Sequence, residues 1–169
     1  MNKKAVYLFI ALLLPSSVFV FLKLTGKNQF DIPIYYEHGK DSLNSICGSD
    51  YSKPYFIADS VLARLAWVEK ECSVVTLGQV NARELKRLNE IFAPNDYSIY
   101  AINEPLSGKG TNLSPASFDR WRKCVFVAKE KVTIVLVDKQ KRIRGYYTVG
   151  SREEMDRLIV EMKILLKKY

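Results

Sequence analysis

The sequence predicts an α/β fold, a central mixed sheet flanked by helices, behind an N-terminal transmembrane helix. Three observations near the C-terminus carry the sheet. Val132 to Val137 is apolar on both alternating faces apart from Thr133, as a strand covered on both sides is. Asp138-Lys139-Gln140-Lys141 reads as a polar turn, and Arg142 to Tyr147 then alternates charged and apolar residues like an edge strand. Ser151-Arg152-Glu153-Glu154 has the form of a capping box, with Ser151 as cap and Glu154 reaching back. Met155, Leu158, Ile159, Met162, Leu165 and Leu166 follow at helical spacing.

From the N-terminus, Ala5 to Leu22 carries no charge and is bracketed by Lys4 and Lys23, a length that can span a bilayer. A membrane helix absorbs the kink at Pro15. Val18 to Leu24 is bulky and offers no small-x-small cleavage site, which favours an uncleaved anchor over a signal peptide. Lys3 and Lys4 nearly balance Lys23 and Lys27, so charge leaves the orientation open. A short tail before a single anchor places the domain outside the cytoplasm. The expected organisation is a tail and anchor over 1–27, a stalk and loop over 28–53, and an α/β domain over 54–169.

Asn28 to Pro33 reads as stalk, and Ile34 to Gly39 as a short strand or extended arm. Residues 40–53 are small and polar, and read as loop. Pro54 to Ile57 suits a first strand. Asp59 to Val68 fits either a helix capped by Asp59 or a hairpin. Cys72 to Leu77 is a buried strand. Asn81 caps a helix over Ala82 to Ala93, with Leu85, Leu88, Ile91 and Phe92 on one face, and Pro94-Asn95-Asp96 stops it. Tyr97 to Ile102 is the next strand, parallel to the previous one. After a loop over Glu104 to Ser114, Ser114 caps a helix over Pro115 to Cys124, with Pro115 at its favoured first position.

The formal charge is +8, but residues 1–27 hold four lysines and no acid; residues 28–169 hold 22 basic and 18 acidic side chains, or +4. The cations are scattered, with Arg83, Lys86 and Arg87 on one helix and Lys139, Lys141 and Arg142 at a turn. No aromatic-basic stripe points to nucleic acid. The cations read as a solvated face, with a mildly basic face near an acidic lipid surface as the alternative. Ser107-Gly108-Lys109-Gly110-Thr111 lacks the leading glycine of a P-loop. Asn112-Leu113-Ser114 has the form of a glycosylation acceptor, but chance often supplies such triplets. His38 is the only histidine; no Ser/His/Asp set can be proposed around it, and one His with scattered Cys is a poor metal constellation. Outside the cytoplasm two of Cys47, Cys72 and Cys124 could pair, leaving the third over. Cys72 opens a buried strand and Cys124 ends a helix, as small core residues do. Cys47, in a polar loop, is the expected exposed thiol.

Leu136-Val137-Asp138, a turn, and Arg142-Ile143-Arg144-Gly145-Tyr146-Tyr147 resemble the Sco/SenC family of membrane-tethered copper chaperones and thiol reductases. Leu14-Pro15-Ser16-Ser17, an apolar run, Thr25-Gly26-Lys27-Asn28 and Phe30 are similar to the anchor and stalk of its bacterial members. The resemblance covers residues 5–34 and 73–169. It implies a thioredoxin-like fold on the periplasmic side of the cytoplasmic membrane. It also implies a Cys-x-x-x-Cys pair after the first βαβ strand, where helix-start N–H groups stabilise a thiolate, and a histidine just before the central strand. Here the first place reads Thr76-Leu77-Gly78-Gln79-Val80-Asn81, and the second holds Glu130. Gln79 and Glu130 are hard oxygen donors unsuited to cuprous ion. The resemblance is therefore to a degenerate member, with Gly78, Gln79, Val80 and Glu130 at the family-site positions. It has no catalytic residue, no metal ligand and no cofactor, copper being the alternative. Such a protein would be a binding or assembly module, linked to respiratory oxidase or copper handling, with a partner in the same membrane. One alternative is an active thiol-disulfide or copper protein using Cys47, Cys72 or Cys124. Another is a structural subunit of a membrane complex.

Overall fold

The computed structural model describes residues 3–25, 31–39, 47, 53–80, 82–103 and 109–167. They fall into two compact units, Met1–Phe30 and Asp31–Tyr169. The first is helix α1 (Lys3–Thr25), 23 residues long, or about 35 Å at the usual rise per residue. Around Pro15, the hydroxyls of Ser16 and Ser17 donate to the carbonyls of Leu12 and Leu14 at 2.9 Å, satisfying their own polar groups within the helix. Tyr7, Phe9, Leu12, Phe19 and Phe21 are exposed. Among the described residues no helix is long and apolar enough to cross a membrane; several α1 side chains lie outside that set.

The second unit is a five-stranded mixed sheet with helices on both faces. Its strands are β1 (Cys72–Leu77), β2 (Tyr97–Ile102), β3 (Gly110–Thr111), β4 (Ile134–Asp138) and β5 (Ile143–Tyr147), in spatial order β3-β2-β1-β4-β5. β1 runs parallel to β2 and antiparallel to β4, and β4 and β5 form the antiparallel hairpin. This order is compatible with a thioredoxin-like fold. Every residue of β1 and β4 is buried, which is why both read as apolar runs.

Side chains alternate between the two faces of each strand. Val74, Ile134 and Leu136 join Leu85 and Leu88 of α3 (Ala82–Ile91) and Met155, Leu158 and Met162 of α5 (Arg152–Leu165). Val75, Leu77, Val135 and Val137 face Val61 and Leu62 of α2 (Asp59–Arg64), with Trp121 and Phe126 after α4 (Pro115–Arg120). The caps at α4 and α5 form as the sequence predicts: Ser114 accepts from the Ser117 N–H and Ser151 from the Glu154 N–H, both at 3.4 Å. The capping box is only half made, because the Glu154 carboxylate pairs with Arg157 at 3.0 Å instead of reaching back.

Other expectations are corrected. The segment Ile34–Gly39 is a turn over Tyr35 to His38, with Tyr36 at φ 60°. Pro54–Ile57 joins no ladder; the Ile57 N–H donates to the Lys141 carbonyl at 3.0 Å. Asp59–Val68 begins as a helix, but Asp59 is its first residue rather than its cap, and its carboxylate binds Lys141 at 2.6 Å. The helix over Pro115–Cys124 turns α-helical only to Arg120, and Trp121–Val125 is π-helical. β4 starts at Ile134 rather than Val132 and ends at Asp138, a buried strand residue rather than an exposed turn. The loop Glu104–Ser114 contains the short strand β3, which period-2 alternation cannot mark over two residues. Asn81, and Ser107 and Gly108 of the Gly-Lys stretch, lie outside the described residues.

Candidate functional site

The positions singled out by the resemblance, Gly78, Gln79, Val80 and Glu130, gather at one end of the sheet. Gly78 follows β1 at φ 82°, a left-handed conformation natural to glycine, and its N–H donates to the Ile102 carbonyl at the end of β2. Gln79 is exposed and Val80 is buried in the core under α3. Glu130 is exposed in the turn leading to β4. What joins the two places is a residue the sequence reading passed over. Arg122, in the π-helical segment, donates Nη1 to the Glu130 carbonyl at 2.8 Å and Nη2 to the Leu77 carbonyl at 3.2 Å. Its guanidinium also lies 5.0 Å from the centroid of the Phe118 ring, and a side chain at Gly78 would touch that same ring. A planar cation with fixed donors thus bridges the last residue of β1 and the turn before β4. Its only signal in sequence was the spacing Phe118–Arg122, one helical turn apart.

No thiol stands there. Cys72 forms no disulfide and is fully buried at the other end of β1, five residues from Leu77, which is about 17 Å along a strand. Beside it the Tyr97 phenol is pushed up to about 12, first by burial and then by the neighbouring Cys72. Cys47 and Cys124 form a disulfide, with Cα atoms 5.6 Å apart. Cys47 is therefore not an exposed thiol; it is bonded and buried. Cys124 is not a core filler but the other half of that bond. Two residues beyond Arg122, it lies on the opposite side of the helical turn. His38 is exposed, and among the described residues no three His, Cys, Asp or Glu side chains gather as a metal site. The Glu130 carboxylate makes no hydrogen bond or ion pair among the described residues; only its carbonyl is used.

A second polar cluster was also missed. Asp138, buried, accepts the Arg142 N–H at 2.9 Å, Arg142 Nε at 2.8 Å and Arg144 Nη1 at 3.1 Å. Arg144 is buried too, and its Nη2 reaches the Asp31 carboxylate at 2.7 Å and the Ile32 carbonyl. The alternation in Arg142–Tyr147 suggested charges pointing to water, but Arg144 is covered by residues from more than a hundred positions away. The scattered surface cations behave as solvated, mostly paired groups: Arg87 with Asp156, Lys139 with Glu71 and Lys141 with Asp59. No family model matches this chain, and no curated protein matches it.

Proposed function

We propose that this chain is a membrane-anchored, extracytoplasmic, Sco/SenC-like protein without the usual redox and copper site, which serves as a binding or assembly module. The observation that carries the reading is Arg122 binding the Leu77 and Glu130 carbonyls, where the resemblance would put thiolates and imidazole. A guanidinium repels a cuprous ion and supplies no electron pair to it, whereas it holds two loops together well. The order β2-β1-β4-β5 with helices on both faces supports the thioredoxin-like part of the reading. The charge-free run Ala5–Leu22 inside α1 supports the anchor. The partner sits in the same membrane, in respiratory-oxidase or copper-handling assembly.

The test is cuprous-ion titration of the full-length protein in detergent under a competing chelator, alongside a disulfide-reductase assay. No tight copper and no reductase turnover are expected. One copper bound tightly, and lost in Cys47→Ser, would replace this reading with a relocated thiol site. The anchor has its own check: the protein is expected to stay with membranes through a carbonate wash. Release into the soluble fraction with an N-terminus near residue 25 would show a cleaved signal instead.

A further inference from the structure

The chain that carries Arg122 is gripped from its far side by the arm preceding the sheet. Tyr55 Oη donates to the Val125 carbonyl at 2.6 Å, and Tyr36 Oη to the Val127 carbonyl at 3.5 Å. Between them Tyr146 Oη, from β5, takes the Phe126 carbonyl at 2.7 Å. Cys47, which lies between Tyr36 and Tyr55 in sequence, is bonded to Cys124. So three arm residues and one strand residue hold four consecutive positions, 124 to 127. Those positions need holding. Trp121–Val125 is π-helical, a form that recurs at functional sites. Val127, a β-branched residue, sits at φ 51°, a conformation that persists only where the surroundings impose it.

We infer that the Cys47–Cys124 disulfide is a redox latch, opened by a dithiol reductant, which controls how firmly the π-helical segment presents Arg122 to the sheet end. Cys124 is the more exposed residue of the pair, Cys47 being buried, so the exchange is written with the incoming thiolate attacking the Cys124 sulfur. It forms a mixed disulfide with Cys124 while the Cys47 sulfur leaves as a thiolate and takes a proton. The reductant's second thiol then displaces Cys124, which is protonated in turn. The reductant ends as its own disulfide, and the two protein sulfurs have gained two electrons and two protons. With the covalent link gone, the segment keeps the phenol hydrogen bonds from Tyr36, Tyr55 and Tyr146 but loses its covalent tie to the arm. The latch rests on the reading above only for what the sheet end binds; its opening does not depend on that.

Hydrogen exchange on the full-length protein in detergent micelles, before and after dithiothreitol, tests it. The reporters are the Phe126 and Ala128 N–H groups, bonded to Trp121 and Arg122 carbonyls, and the Ile57 N–H, bonded to Lys141. Reduction is expected to speed their exchange by at least about tenfold while β4 amides stay protected. The Cys47→Ser/Cys124→Ser double variant should show the same pattern without reductant. Tyr55→Phe should show a smaller version of it with the disulfide intact. Unchanged exchange at the reporters after complete reduction would overturn the latch, as would equal loss of protection in β4, which marks a staple for the whole fold. Resistance of the bond to dithiothreitol in the folded protein, with reduction only after denaturation, would overturn it as well. None of these readouts involves copper, so they stand apart from the functional test.

Discussion

A single carboxylate shows how much rests on individual residues here. Asp138 is 3% exposed and answers two arginines, one of which also holds Asp31 at the start of the domain. Taking one partner from a buried ion cluster leaves the others uncompensated. Asp138→Asn is expected to lower unfolding free energy by roughly 3–5 kcal/mol, read as a fall in the denaturant midpoint with unchanged slope. A loss well under 1 kcal/mol would mean that Arg144 finds water or another acceptor. Residues of this kind were the hardest to see in the sequence. Ser114 and Ser151 announce themselves because a cap and the N–H it accepts are three positions apart. Arg144 and Asp31 are separated by 113 positions, and Cys47 and Cys124 by 77. No local pattern records such pairings, so Arg144 read as an outward charge and Cys47 as a free thiol. Arg122 was illegible for the same reason, since its acceptors are backbone carbonyls that any residue supplies.

Whole elements were more legible because their signals are periodic. The β4-β5 hairpin, α3, α5 and the β1-β2 pair follow the expected apolar spacing to within a few residues. Leu136 is fully buried between β1 and β5, so Leu136→Ala is expected to cost about 2–5 kcal/mol in chemical denaturation. A near-neutral effect there would mean that the strand tolerates a cavity that the packing around it does not suggest. Elements shorter than a full period escaped notice. β3 has two residues, and Pro54–Ile57 has extended spacing but lends only single bonds to the strand turn. The change from α to π at Trp121 leaves no trace in residue spacing either, since the same apolar residues serve both.

At the scale of the molecule, buried phenols tie stability to alkali. Tyr97 is pushed up to about 12, and burial drives Tyr146 and Tyr147 still further above the usual tyrosine value, helped by Tyr36 and by a hydrogen bond to Glu161 respectively. The unfolded chain would release these protons near the ordinary tyrosine pKa of about 10. Above that pH the folded state therefore binds more protons than the unfolded one, and stability falls as pH rises. The folded protein is expected to keep full stability up to about pH 10 and lose it toward pH 12. Ultraviolet titration should then show these tyrosines ionising together with unfolding rather than before it. Ionisation of every tyrosine near pH 10 in a protein still folded by circular dichroism would contradict the buried arrangement. The arm that supplies Tyr35, Tyr36 and Ile57 has a further effect. Tyr35 donates its N–H to Ile143 at the start of β5, and Ile57 donates to Lys141 in the turn before it. The opposite margin of the sheet is β3, too short to template a neighbour. β3 covers β2 only at Ala101 and Ile102, so among the described residues the outer edge of β2 from Tyr97 to Tyr100 has no strand against it, and a further strand would find its open backbone groups there.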